Sequence, residues 1–299
     1  MATTGDDAAF AAWSRERQQR IEAVLDSILA QADAGARTRL LSAMRYSTLG
    51  GGKRMRPLLA YAAAELTGGS PNDADASAAA VELIHAYSLI HDDLPCMDDD
   101  ALRRGKPSCH AAFGEAMALL AGDALQALAF GVLAEGRLRN AAGACALLAD
   151  ASGVRGMAGG QAVDLGSVGA TLSQDELETM HRMKTGALIR ASVRLGAACG
   201  RPLSAGEAAA LDAYADAAGL AFQVTDDVLD VEGSASSLGK TAGKDAAQGK
   251  PTFVATLGAA AARRHAEALR VEARAALAPF GGAARRLAEL ADWIVLRTH

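Results

Sequence analysis

The sequence predicts an all-α fold, and three observations carry that prediction. Apolar residues fill 51% of the 299 positions but aromatics only 4%, with Ala and Leu dominating over the Val, Ile, Tyr and Phe that favour pleated sheet. Apolar positions recur at helical spacing along the whole chain, and no run of alternating β-branched residues competes with them. Glycine and proline punctuate these segments at short intervals. A chain of this length can bury roughly 75% of its unfolded surface, so a packed body is expected. No composition shift marks a boundary and no fixed-period repeat is present, so residues 1–299 read as one domain.

The first helix spans 10–31, where Trp13, Ile21, Val24, Leu25, Ile28 and Leu29 form one apolar face among charged residues. Gly50-Gly51-Gly52 ends a helix over 38–49 and precedes one over 56–66, whose first turn accommodates Pro57. Gly68-Gly69-Ser70-Pro71 leads into 74–94, and further helices are predicted over 109–134, 141–163 and 173–199. Gly200-Arg201-Pro202 then separates off 204–231, and Pro279-Phe280-Gly281-Gly282 divides 253–277 from 282–297. Between 232 and 251 lies one long segment rich in Gly, Ser and Lys, with the composition of a mobile active-site loop.

Thirty-five acidic against thirty basic residues give a net charge of −5, a field that repels nucleic acid and anionic membranes. Any polyanionic ligand must be met by local cations. The four cysteines form no C-x-x-C pair and have no His at zinc spacing, so free thiols in a reducing compartment are expected. Charges near the N-terminus and within later apolar stretches predict no membrane anchor, hence a cytoplasmic location.

Two acidic clusters stand out. Asp92-Asp93-Leu94-Pro95-Cys96-Met97-Asp98-Asp99-Asp100 closes one apolar helix, and Asp226-Asp227-Val228-Leu229-Asp230 lies within another. A solvated face is the ordinary reading of one such run, but Ala86, Leu89 and Ile90 before the first, and Leu220, Ala221, Phe222 and Val224 before the second, place both on the core side of their helices. At 100° per residue Asp226 and Asp230 share a face with Gln223, and His85, Ser88 and Asp92 form a matching stripe. Such stripes would repel each other inside a bundle unless cations lie between them. Magnesium, a hard ion that keeps several waters and bridges to phosphate, suits the pattern; the glycine-containing twelve-residue loop of a calcium hand is absent. Asp92 and Asp98 would stand about 120° apart on an ideal helix; Pro95 should break the helix and let them converge.

Basic groups answer these acids. Lys53, Arg54 and Arg56 follow the triple glycine, Arg103, Arg104 and Lys106 follow the first cluster, and Lys240, Lys244 and Lys250 follow the second. Met183-Lys184-Thr185-Gly186 adds a fourth site. Point-charge lysines and bidentate arginines are how proteins hold diphosphates. Acid followed by base, twice, points to two bound diphosphates with metal around one.

With these residues the chain resembles the trans-isoprenyl (polyprenyl) diphosphate synthases from G-G-G-K-R-M-R-P to the C-terminal A-D-W-I-V-L-R. H-D-D-L-P-C-M-D-D-D with L-R-R-G-K-P, and F-Q-V-T-D-D-V-L-D with its trailing G-K and G-K-D, are specific in combination. The four-residue spacer and Tyr87 look like those of the bacterial farnesyl diphosphate synthases. The resemblance implies a single-domain isoprenoid-synthase bundle with a central substrate cavity, acting as a homodimer on isopentenyl, dimethylallyl and geranyl diphosphates. It implies that Lys53, Arg56, His85 and Arg104 bind isopentenyl diphosphate. It also implies that Asp92, Asp98, Asp226 and Asp230 ligate magnesium, three ions per site with manganese as a substitute, and that Arg103, Lys184, Thr185, Gln223, Lys240 and Lys250 hold the allylic diphosphate. The resemblance makes Asp92, Asp98, Asp226, Arg103, Lys184 and Lys240 the expected catalytic set. Relatives often carry a further Asp where this chain has Ala101, a position outside the matched ligands.

This reading predicts ionisation of an allylic diphosphate, attack by the double bond of isopentenyl diphosphate, and proton loss to the departing diphosphate, since no motif His or Glu suits a base. Tyr87, about 7.5 Å behind Asp92 along the helix and next to Ser88, is expected to limit tail length. Geranyl or geranylgeranyl diphosphate synthesis is the main alternative. A class I terpene cyclase would normally lack the second Asp-Asp-x-x-Asp and has no use for Lys53 and Arg56; a scaffold subunit would show decayed acid motifs. Gln161 and Asp164 read equally as cavity wall and as helix packing.

Overall fold

The computed structural model describes residues 4–32, 39–49, 51–136, 138–232 and 250–297, and among them the all-α expectation holds. The order is α1 (Thr4–Gln31), α2 (Arg39–Thr48), α3 (Met55–Leu66), α4 (Pro71–Asp92), a two-stranded hairpin of β1 (Leu102–Arg103) and β2 (Lys106–Pro107), α5 (Cys109–Phe113), α6 (Glu115–Glu135), α7 (Ala141–Ser152), α8 (Met157–Gly166) and α9 (Gln174–His181). A π-turn (Arg182–Gly186) leads into α10 (Ala187–Ala197), followed by α11 (Ala205–Glu232), α12 (Phe253–Leu257), α13 (Ala259–Ala276), a 3-10 stretch (Ala278–Ala284) and α14 (Arg285–Leu296).

Boundaries follow local chemistry. Ser70 caps α4 reciprocally with Asp73, Pro71 fills the first turn, and Ser173 with Glu176 does the same for α9. Three expected long helices are each divided. Gly114 (φ +89°) separates α5 from α6 and Gly258 (φ +80°) separates α12 from α13, because each adopts a backbone conformation that a helix cannot carry. The expected helix over 141–163 breaks between Ser152 and Met157, around Gly153 and Gly156. The hairpin has no alternating apolar signature, being only two residues per strand.

α3 is the central rod: every residue but Glu65 is buried, and α4, α10 and α1 pack on it. Small residues set the spacing. A Cβ on Gly196 of α10 would fall 2.1 Å from the carbonyl oxygen of Ala60 on α3. α6 packs along α4, and α11 packs on α10 with α13 and α14 also against it. α6 corrects one sequence expectation: it is long and apolar enough to cross a membrane, with Asp123 standing midway, yet here it packs against α4, α2 and α7 with its outer face exposed. Apolar burial of about 1.5–3 kcal/mol per large side chain makes the α3–α4–α10–α11 centre the rigid frame of the site.

The α3–α10 contact yields a test. Gly196→Ala must push backbone against backbone, so a loss of about 2 kcal/mol is expected in urea denaturation; an unchanged midpoint would refute the close approach.

Candidate active site

A cavity of about 700 Å³ opens between α3, α4, α8, the π-turn and α11. Twelve of the sequence-derived site residues line it: Lys53, Arg56, His85, Tyr87, Ser88 and Asp92 from the first third of the chain, and Arg103, Arg104, Lys184, Thr185, Gln223 and Asp226 beyond. Asp98, Lys250 and Asp230 stand outside that lining. Lys240 and Lys244 lie outside the described residues, as does most of the 232–251 segment.

The first acidic cluster folds as Pro95 demands. α4 stops at Asp92, the Asp98 amide donates to the Asp92 carbonyl at 2.9 Å, and the Asp100 amide donates to the Asp93 carbonyl at 3.1 Å. The chain thus doubles back and brings Asp98 to the helix end, with Asp99 at φ +50°. Burial pushes the Asp92 carboxyl up to about 6, opposed by Lys184 and reinforced by Asp98. Arg103 forks onto Asp93 and reaches Asp100 at 3.4 Å, while the Lys250 Nζ meets Asp98 at 2.8 Å.

The basic wall beside isopentenyl-side candidates Lys53 and Arg56 is anchored by Arg54. Its guanidinium, almost wholly buried, donates to Glu22 at 2.8 Å and to the Thr48 carbonyl at 2.6 Å, and pairs with buried Glu82. These bonds hold Arg54 in a left-handed conformation (φ +51°) at the start of α3. Arg104, also at φ +54°, bonds the Gly51 carbonyl and lies over Gly52, where a Cβ would sit 2.6 Å from its Nη2. Burial lowers the Arg56 and His85 pKa values, and for His85 the neighbouring Arg56 and Arg104 push further in the same direction. His85 is therefore neutral near pH 7, a hydrogen-bonding group among fixed positive charges.

Across the cavity, the π-turn re-aims one residue pair. Lys184 pairs with buried Asp164 of α8, and Gly160 lets α8 approach so closely that a Cβ would fall 2.2 Å from the Lys184 amide nitrogen. The Thr185 hydroxyl donates to Gln223 at 3.2 Å, Gln223 donates to Asp227 at 2.9 Å, and Asp227 accepts the Phe253 amide at 2.8 Å. Asp226 turns to the cavity and is paired with Arg297 at 2.7 Å. Asp230, one turn further along α11, is buried.

Among the described residues no three of His, Cys, Asp or Glu gather into a ready metal nest. The donors facing the cavity are carboxylates opposite cationic walls, which fits a hard divalent ion bridging carboxylate and anion better than a soft-metal site. Sequence reading assigned no role to Phe253 or Arg297, counted Arg54 only among the basic residues, and left Gln161 and Asp164 open between cavity wall and helix packing. Gln161 lines the cavity with both amide atoms unbonded among the described residues. Asp164 was legible as a polar residue in an apolar helix; Arg297 gave no local signal, since its partner lies 71 residues away.

Comparison with known proteins agrees with this geometry. The polyprenyl synthetase family model matches residues 37–276. Farnesyl diphosphate synthase of Escherichia coli is 51% identical over 273 residues, covering 87% of this chain and 90% of its own. An FPP/GFPP synthase from Zymomonas mobilis superposes with a TM-score of 0.84 at 40% identity, covering 95% and 100% of the two chains. A geranyltransferase from Helicobacter pylori, solved with magnesium and isoprenyl diphosphate, superposes at 0.82 with 30% identity over 99% and 97%.

Beneath Lys184 lies a group with a measurable pH signature. His181 is buried, stacks on Phe253 at 5.4 Å, and has neither ring nitrogen bonded among the described residues; burial lowers its pKa to about 4. Its folded pKa is below the unfolded value near 6.5, so this contribution to stability is whole above pH 6.5 and is lost as pH falls toward 4. His181→Phe should keep the stack and remove about 2.4 kcal/mol of that pH-dependent loss, read as the difference between the two proteins' urea stabilities at pH 7 and pH 4.5. Parallel pH curves would refute a buried neutral His181.

Proposed function

The chain belongs to the polyprenyl synthetase family, and we propose that it joins isopentenyl diphosphate to dimethylallyl and then geranyl diphosphate, releasing farnesyl diphosphate and diphosphate. One observation carries the reading: one cavity whose lining combines Asp92 and Asp226, the cations Lys53, Arg56, Arg103, Arg104 and Lys184, apolar Met157, Leu165, Phe222 and Leu229, and Tyr87.

Lys53, Arg56, Arg104 and neutral His85 orient the diphosphate of isopentenyl diphosphate. Arg103, Lys184, Thr185, Gln223, Lys240 and Lys250 hold the allylic diphosphate, with Asp92, Asp98, Asp226 and, behind them, Asp230 as the carboxylates for three magnesium ions, replaceable by manganese. Bound magnesium supplies charge neutralisation at the leaving diphosphate. The cationic side chains add fixed donors where charge develops as the allylic carbon–oxygen bond breaks with its electron pair on diphosphate. The double bond of isopentenyl diphosphate then forms the new carbon–carbon bond, and the proton lost passes to the released diphosphate. Met157, Leu165, Phe222 and Leu229 line the cavity and keep water from the cation.

Product length rests on a braced floor. Tyr87 meets His91 edge to face at 5.7 Å. His91 in turn bonds the Leu119 carbonyl at 3.0 Å and fills the space left by Gly122, where a Cβ would lie 2.1 Å from its Nε2. A geranylgeranyl tail would have to displace this set, which favours the fifteen-carbon product. A second copy of the chain is the expected partner, supported by Leu119 and Leu120, both about half exposed on the outer face of α6. All four cysteines are free, in keeping with a reducing cytoplasm.

Asp92→Ala or Asp226→Ala should lower turnover at least ~10²-fold with helical content unchanged by circular dichroism; full activity in excess EDTA would remove the metal from the mechanism. Tyr87→Ala should shift product toward twenty carbons or more with modest loss of turnover, as read by chromatography. Exclusive farnesyl diphosphate from that variant would place the floor elsewhere.

A further inference from the structure

Arg297, next to the end of α14, has no place in the catalytic set, yet it is among the most constrained arginines near the cavity. Its side chain is 3% exposed. The guanidinium lies over the Phe222 ring, 4.3 Å from the centroid, and its Nη2 donates to both the Phe222 carbonyl at 3.2 Å and Asp226 Oδ1 at 2.7 Å. Its Nε donates to the Ile294 carbonyl at 3.0 Å. Ring face, two carbonyls and one carboxylate oxygen fix the group from four directions, and Asp226 itself is 39% exposed toward the cavity mouth.

We propose that Arg297 is a positioning residue for the metal-binding carboxylate of the second acidic cluster, holding Asp226 Oδ1 so that Oδ2 is presented to the cation. The inference rests on the assignment of Asp226 as a metal ligand. A ligating carboxylate is oriented by the groups that bond its other oxygen, and loss of such a partner typically weakens metal binding 10- to 100-fold. Two readings of the ion pair make opposite predictions. A movable counter-ion that simply neutralises Asp226 in the metal-free protein must be displaced, so its removal would tighten metal binding. A group held by Phe222 and two backbone carbonyls is not built to leave, so its removal should weaken binding.

The test measures magnesium binding apart from turnover. Full-length wild type, Arg297→Lys, Arg297→Gln and Arg297→Ala are titrated with magnesium in saturating inorganic diphosphate, and the half-saturating magnesium concentration is read from thermal stabilisation. Arg297→Ala should raise that concentration at least tenfold. Arg297→Lys, which keeps the charge but loses the planar fork, should fall between it and wild type. Should the Ala variant not fold, Arg297→Gln gives the same reading with a side chain that still bonds the carbonyls. A half-saturating concentration within twofold of wild type, or below it, overturns the proposal. An Asp226→Ala control separates the two layers: if wild type and this control respond equally to magnesium, the ligand assignment fails and takes the inference with it.

Discussion

The structure depends on one electrostatic constraint: carboxylates from two apolar helices, Asp92 and Asp226, face one cavity. Like charges in such a place are expensive unless each has an opposite partner or a bridging cation. The protein meets the demand residue by residue. Asp93 and Asp100 are held by Arg103, Asp98 by Lys250, Asp226 by Arg297 and Asp164 by Lys184. Asp92, at the end of α4, answers by holding its proton more tightly, chiefly because burial disfavours its charge. Carboxylates and cations thus face one another around the cavity, the charge pattern that suits a polyanion accompanied by divalent ions.

Several irregular features of the backbone serve the same end. The left-handed Arg54 and Arg104 cost strain of order 1 kcal/mol each, compensated by the buried pairing of Arg54 with Glu82 and Glu22 and by the seat of Arg104 over Gly52. The π-turn at 182–186 shifts Lys184 and Thr185 relative to a continuous helix and lets Gly186 meet Gly219 of α11. From there a chain of hydrogen bonds runs through Gln223 and Asp227 to Phe253, two residues past the long Gly/Lys segment. The second acidic cluster is thus tied to the end of that segment as well as to the cavity.

Much of the fold could be read in advance because helix is written in local pattern: the stripe 21–25–29 of α1 and the breakers at 68–71 and 200–202 need only near neighbours. The misread boundaries were those where apolar spacing continues through a glycine, at 114, 153–156 and 258, since periodicity does not register φ. The convergence of Asp98 on Asp92 was legible too, from Pro95 alone.

By itself, the sequence determined the residue types of the site and their order: acids followed by bases on either side of apolar helices, and a tyrosine one and a half turns behind the first acid. Those are properties of a few adjacent positions, set by spacing and side-chain chemistry. Only the tertiary structure decided which base serves which acid. Lys184 turns to Asp164, Lys250 to Asp98 across 152 positions and Arg297 to Asp226 across 71, and His91 braces Tyr87 because Gly122 leaves it room. Pairings of that kind depend on how helices cross and how closely small residues let them approach, and packing over such distances leaves no periodic trace in the chain.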